Sequence, residues 1–297
     1  MTTLLVGFDS AWTPTKRGAL VGLVRADDGT FKELDIPRGV NYSEAESKIL
    51  GWQDQEQPAT TIVLLDQPTI VENATGQRPV ENLVASPVSR RYGGVQPANT
   101  ARGEMFGSGA PVRHFLQRFG GPASPLEPVA GTRVLETYPV LTMIALGWTL
   151  PDTRPTGRLP KYNPERRRTF SLFDWEFVCQ QTSCELAARG LQQVVGWLDV
   201  IAKKPSPRKE DQDCLDACLC LLVALYLDEG RECLMVGDMS TGYILVPSSE
   251  SLRKELEARC EQTGRAHSAW VHFIPRPSDK TSPHSDRSSD ADAQRSK

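Results

Sequence analysis

The sequence predicts an α/β fold: a mixed sheet of three antiparallel strands with a parallel extension, flanked by helices. Three observations predict it. The opening third reads as three consecutive strands, two of them joined by the turn signal Asp27-Asp28-Gly29. Thr61 to Leu65 is a run of β-branched and aliphatic residues, as expected of a central parallel strand buried on both faces. Helical segments then separate the later strands, because parallel steps need a crossover while hairpins need only short turns.

The strands of the opening third are Thr3 to Asp9, Gly18 to Ala26 and Thr30 to Ile36. A short helix follows from Ser43 to Trp52, with Ser43 as N-cap and Glu46 in the capping-box position. After the Thr61 to Leu65 strand the pattern weakens into Pro, Gly, Ser and Arg from Gln67 to Gly131, with one helix expected near Pro111 to Phe119. Thr132 to Tyr138 reads as a strand, closed by Pro139 and followed by a short helix near Val140 to Leu146. Asn163 to Lys204 reads as two helices, the first capped at Asn163-Pro164-Glu165. A helix from Glu210 to Asp228, stopped by Gly230, is followed by a strand at Tyr243 to Val246. A helix at Ser249 to Thr263 and a strand at Trp270 to Ile274 complete the order. Residues 1–275 therefore read as one domain with insertions at about 67–131 and 148–209, and 276–297 as a disordered tail.

Composition adds bounds. The 297 residues are 39% hydrophobic and 24% charged, enough apolar content for a core. A net charge of -3 gives no global nucleic-acid signature, so polyanion binding must come from local patches. No apolar run approaches a membrane span, and Met1-Thr2-Thr3 leads straight into a strand, so a cytoplasmic location is the expectation. Seven cysteines and four histidines without paired Cys-x-x-Cys elements argue for buried reduced thiols rather than zinc.

Four acids carry the chemistry. Asp9 and Asp66 end apolar strands, while Asp213 and Asp216 open an apolar helix as Asp213-Cys214-Leu215-Asp216-Ala217. Carboxylates converging on one point repel unless hard cations hold them. Each strand-end acid also reads as a mere terminus, and acids in a first helical turn favour the dipole by about 0.3–1 kcal/mol. Asp211 fits that smaller role. Asp216 differs, because Cys220, Val223, Ala224 and Leu227 continue its face as an apolar stripe, where an unpaired aspartate is costly. Ala217 and Cys220 are small enough to let that helix approach the sheet. Glu136 lies in a predicted strand, where binding metal, orienting a water and pairing with an arginine are all open to it.

The motifs Gly7-x-Asp9-x-Ala11, Leu65-Asp66-x-Pro68, Glu136-x-Tyr138-Pro139, Asp213-x-x-Asp216-Ala217 and Gly242-Tyr243-Ile244-x-x-Pro247 occur in that order. The set resembles the DUF429 family, regarded as nucleases of ribonuclease H-like fold, over most of residues 4–247. It is similar at longer range to RuvC-type resolvases, whose first-strand Asp, fourth-strand acid and helical Asp-x-x-Asp pair ligate two Mg²⁺ ions. Asp9, Asp66, Asp213 and Asp216 fall on those roles. The long helical insertion between Glu136 and Asp213 departs from that pattern. The resemblance implies a metal-dependent phosphodiester hydrolase working by a two-metal mechanism, with Asp9, Asp66 and Asp216 catalytic, Asp9 bridging both ions, Asp66 on one and Asp216, with Asp213, on the other. Asp9, Asp66, Glu136, Asp213 and Asp216 would be its metal ligands. Oxygen-only ligands suit Mg²⁺ or Mn²⁺.

Nucleic acid is the expected partner. Arg90, Arg91, Tyr92 and Arg102, with Asn99 and Arg113 nearby, form a basic, glycine-containing stretch suited to phosphates and base stacking, or equally to a solvated loop. Arg166-Arg167-Arg168 reads as an exposed helical face, and Trp12 and Lys16, just after Asp9, are placed to flank the cleft, with a core position equally open to Trp12. Two other functions stay open: a non-catalytic binding module of the same fold, and an ATP phosphotransferase of the actin and sugar-kinase type. The second lacks its glycine-rich phosphate turn after Asp9 and a second domain copy.

Overall fold

The computed structural model describes residues 1–89, 95–127, 130–153 and 157–274. The expected tail therefore lies outside the described residues. Strand β1 (Thr3–Asp9) pairs antiparallel with β2 (Gly18–Arg25), which pairs antiparallel with β3 (Phe31–Val40). Helix α1 (Tyr42–Glu56) leads to β4 (Thr60–Leu65), parallel to β1. The segment to the next strand carries α2 (Pro79–Ser89), α3 (Gly103–Phe106) and α4 (Pro111–Arg118). Strand β5 (Gly131–Glu136) then pairs parallel with β4, giving one five-stranded sheet in the order β3-β2-β1-β4-β5. This is the predicted mixed arrangement, with ribonuclease H-like strand order.

Helix α5 (Pro139–Ala145) follows, then the antiparallel pair α6 (Leu172–Ala187) and α7 (Gln192–Ala202), then α8 (Lys209–Asp228). A second sheet is built from β6 (Cys233–Asp238), β7 (Gly242–Pro247) and, after α9 (Glu250–Gln262) and α10 (His267–Trp270), β8 (Val271–Ile274). Its order is β7-β6-β8, all antiparallel. A bridge between Thr137 and Leu245, with Thr137 Oγ1 donating to the Leu245 carbonyl at 2.8 Å, ties it to the end of β5.

Strand alternation decides what each face of the main sheet meets. Leu5, Ile62, Leu64 and Leu135 point to the α8 side and join its apolar residues. Leu4, Val6, Phe8, Val63, Leu65 and Val134 point the other way, onto Ile49 and Trp52 of α1 and Phe115 of α4. Gly7 lies on the α8 side, where contact is tight. A Cβ there would sit 2.1 Å from the Ala217 carbonyl oxygen and 2.5 Å from the Leu221 nitrogen. That approach lets α8 lie directly on β1, with fifteen of its residues buried from Gln212 to Tyr226.

Several boundaries differ from the sequence reading. The N-cap of α1 is Asn41, with Glu44 closing the capping box, rather than Ser43 with Glu46. Asn163 starts no helix. The segment runs through turns to Ser171, which caps α6 by accepting from the Asp174 amide, so Arg166, Arg167 and Arg168 sit exposed on turns. Strand β6 and helix α2 were not expected. All seven cysteines are free. Among the described residues, no helix is long and apolar enough to cross a membrane.

Candidate functional site

The same alternation that packs the sheet aims two acids. Asp9 follows Leu5 and Gly7 in phase, and Asp66 follows Ile62 and Leu64, so both project toward α8. The strands are in register, Phe8 opposite Leu65, and the Asp66 amide donates to the Phe8 carbonyl at 2.9 Å. The two carboxylates therefore leave neighbouring parallel strands side by side. From above, the first turns of α8 bring Asp213 and Asp216. All four line one cavity of about 720 Å³, together with Lys209 and Tyr162.

Burial and mutual repulsion govern the electrostatics. Asp9 is held well above the usual carboxylate range by burial, then by Asp66, Asp216 and Asp213, with Lys209 opposing. Asp66 is raised by burial and by Asp216, again against Lys209. Burial pushes Asp216 up to about 6, although Lys209 and the Tyr162 hydroxyl favour its charged form. Burial alone would lower Lys209, but the carboxylates of Asp9, Asp213 and Asp216 outweigh it and leave it raised.

The partners are unequally shared. Asp213 is ion-paired with Lys209, one turn before it. Asp216 accepts from Tyr162 Oη at 2.8 Å and from Gln212 Nε2 at 3.0 Å. Among the described residues, no side-chain or backbone donor reaches the carboxylate of Asp9 or Asp66. One buried and one half-buried acid without donors among the described residues, beside a third acid, are oxygen ligands of the kind that suits a hard divalent cation. As placed, no three His, Cys, Asp or Glu side chains among the described residues stand in an arrangement that would hold an ion.

The loops that shape the cavity mouth are fixed. Trp12, at φ 59° in the left-handed region, donates through Nε1 to the Asp66 carbonyl at 2.9 Å and packs edge-on against Phe106. Ser10 Oγ donates to Gln67 Oε1 at 2.6 Å, and Tyr42 Oη donates to the same oxygen.

The sequence model of the family described as "Protein of unknown function (DUF429)" matches residues 7–240. This chain belongs to the DUF429 family. No curated protein matches it significantly. A solved structure described as "Thermus thermophilus RuvC structure" aligns with 82% of this chain and 99% of its own, at 14% identity and a TM-score of 0.31. The fold assignment of this DUF429 chain rests instead on the strand order and register above.

The remaining expected residues are placed differently, although Glu136 lines the same cavity and its charge helps to raise Asp66. Glu136 pairs in register with Leu65, one residue out of phase with Asp66, and belongs to a different network. Both its oxygens are taken by Arg78, Nη2 to Oε1 at 2.6 Å and Nη1 to Oε2 at 3.0 Å, and the Thr69 amide adds a bond at 2.9 Å. Arg78 is 1% exposed and also holds Glu81 through Nε at 2.9 Å. Of the three roles open to Glu136, the arginine pair is the one observed. Arg90, Arg91 and Tyr92 lie outside the described residues. Arg102 is the N-cap of α3 and is not among the described residues lining the cavity. Asn99 and Arg113 donate to the Gly76 and Phe106 carbonyls, at 2.9 and 3.1 Å, and so brace the loop. Sequence reasoning missed Lys209, Gln212, Tyr162 and Arg78. For Lys209 and Gln212 the signal existed, since each stands four residues before the aspartate it contacts.

Proposed function

We infer that this chain is a divalent-cation-dependent phosphodiester hydrolase acting on nucleic acid. One observation carries the reading. Asp9, buried, and Asp66, half-buried, emerge side by side from adjacent strands, without donors among the described residues, and share a cavity with Asp216. Carboxylates raised by their neighbours' charge are stabilised when a cation enters, and Asp9, Asp66 and Asp216 would draw together to hold it. Asp213, already paired with Lys209, is the weaker candidate for the set, and Glu136 is left out of it. Such an ion lowers the pKa of a water to make it a nucleophile and stabilises charge on the departing oxygen. The protein's own groups do the rest. Lys209 tempers the negative charge so that a phosphate can approach, and Trp12 and Lys16 border the entrance. In the same reading, residues 1–275 are one domain carrying insertions at about 67–131 and 148–209.

The test is a Mg²⁺ and Mn²⁺ cleavage screen over single-stranded, duplex and branched DNA and RNA, with Asp9→Asn and Asp216→Asn beside the wild type. Cleavage that needs the cation and disappears in both variants is expected. Cleavage that survives both substitutions would refute the assignment.

A further inference from the structure

The helical insertion between β5 and α8 is long, and one of its residues reaches the acid cluster. Tyr162 is 5% exposed, and its hydroxyl donates to Asp216 Oδ1 at 2.8 Å across 54 positions of sequence. Burial first, and then the charge of Asp216, holds the phenol far above its ordinary range, so it stays a neutral donor. Gln212 Nε2 donates to the other Asp216 oxygen at 3.0 Å. Each oxygen therefore accepts one hydrogen bond and keeps acceptor capacity for something else.

Tyr162 does not arrive there by chance packing. Asp174, buried in the first turn of α6, grips the stretch just before it. Asp174 pairs with Arg158 through both guanidinium nitrogens, Nη2 to Oδ1 at 2.9 Å, and accepts from the Lys161 amide at 2.6 Å. The Ser171 amide closes the loop onto the Lys161 carbonyl at 2.9 Å. The backbone on the N-terminal side of Tyr162 is thus fixed at two points on α6. A ring on that pinned segment delivers its hydroxyl to a predetermined spot.

We propose that Tyr162 is a positioning residue for Asp216, and that the insertion, through Asp174, builds part of the site. This rests on the functional reading above. A hydrogen bond from a fixed donor locks the Asp216 side chain in one rotamer, with its remaining lone pairs toward the cavity shared with Asp9 and Asp66. Partners of this kind behind a ligating group typically govern its affinity about 10- to 100-fold.

The experiment uses the full chain, Tyr162→Phe and Asp174→Asn, with Mn²⁺ alone as the calorimetric titrant and a cleavable nucleic acid for kinetics. Phenylalanine keeps the buried ring, so the variant should melt in EDTA within a few degrees of wild type. Its Mn²⁺ affinity should fall about 10-fold or more, and kcat should fall with KM for the nucleic acid unchanged. Asp174→Asn should weaken Mn²⁺ binding in the same direction with Tyr162 still present. If it does not fold, Tyr162→Phe decides alone. A Tyr162→Phe protein that binds Mn²⁺ as the wild type does would overturn the inference and leave the functional reading standing. Wild-type protein that takes up no Mn²⁺ would overturn both.

Discussion

Replacing Asp216 by asparagine should stabilise the cation-free protein, the reverse of what removing a buried, twice hydrogen-bonded side chain normally does. The Asp216 carboxyl is raised by burial from 3.8 to about 6. One pKa unit corresponds to about 1.4 kcal/mol, so keeping this group ionised at pH 7.5 costs the fold about 3 kcal/mol relative to the unfolded chain. The sign follows from proton counts. Between about pH 4 and 6 the folded state binds more protons than the unfolded one, so stability falls as pH rises through that window. Asparagine mimics the protonated acid and removes the Asp216 share of the slope. Its Oδ1 still accepts from Tyr162. Its amide hydrogens meet Gln212, whose Oε1 is buried without a partner among the described residues and can turn toward position 216. Allowing for imperfect hydrogen bonds, the net gain is about 1–3 kcal/mol, or several degrees in melting temperature. Thermal melts in EDTA at pH 7.5 and pH 4.5 read it. The variant should melt higher at pH 7.5, and the advantage should shrink at pH 4.5. An asparagine variant that melts lower at pH 7.5, or by a margin independent of pH, would refute the reasoning and make Asp216 a structural member of the Tyr162 network.

Two further outcomes test the scaffold. Gly7→Ala places a methyl 2.1 Å from the Ala217 carbonyl oxygen, so α8 must lift from β1. Urea unfolding should show a loss of about 2 kcal/mol or more, and a loss below about 0.5 kcal/mol would mean that the contact is soft. Arg78→Met leaves Glu136 and Glu81 buried without their cation, which should destabilise by about 3–5 kcal/mol, with much of the loss recovered by Glu136→Gln in the same chain. Equal instability of the single and double variants would show that packing around Arg78, rather than charge, supports that corner.

Much of the sheet and half of the site were legible because short-range rules govern them. The phases Leu5-Gly7-Asp9 and Ile62-Leu64-Asp66 are visible in the strands themselves, and the three-residue spacing of Asp213 and Asp216 marks one helical face. The same rule, applied to Glu136, would have separated it from Asp66, since Leu135 and not Glu136 shares the α8 face. Competing local signals account for the shifted caps. Asn41-Tyr42-Ser43-Glu44 and Ser43-Glu44-Ala45-Glu46 both read as capping boxes, and only packing chooses between them. Strand β6 was hidden because Cys233-Leu234-Met235-Val236 carries no alternation, both of its faces being buried. Tyr162 gave no signal at all. Its partner is 54 residues away, and what brings them together is the grip of Asp174 on an irregular segment.

The central claim is that Asp9, Asp66 and Asp216 share one divalent cation. A calorimetric Mn²⁺ titration at pH 7.5 of the wild type against Asp9→Asn and Asp66→Asn tests it most directly, because neither carboxylate has a donor within the described protein to lose. Saturable binding in the wild type, at least 10-fold weaker in each variant, is the predicted result. Identical titration curves for all three proteins would contradict it.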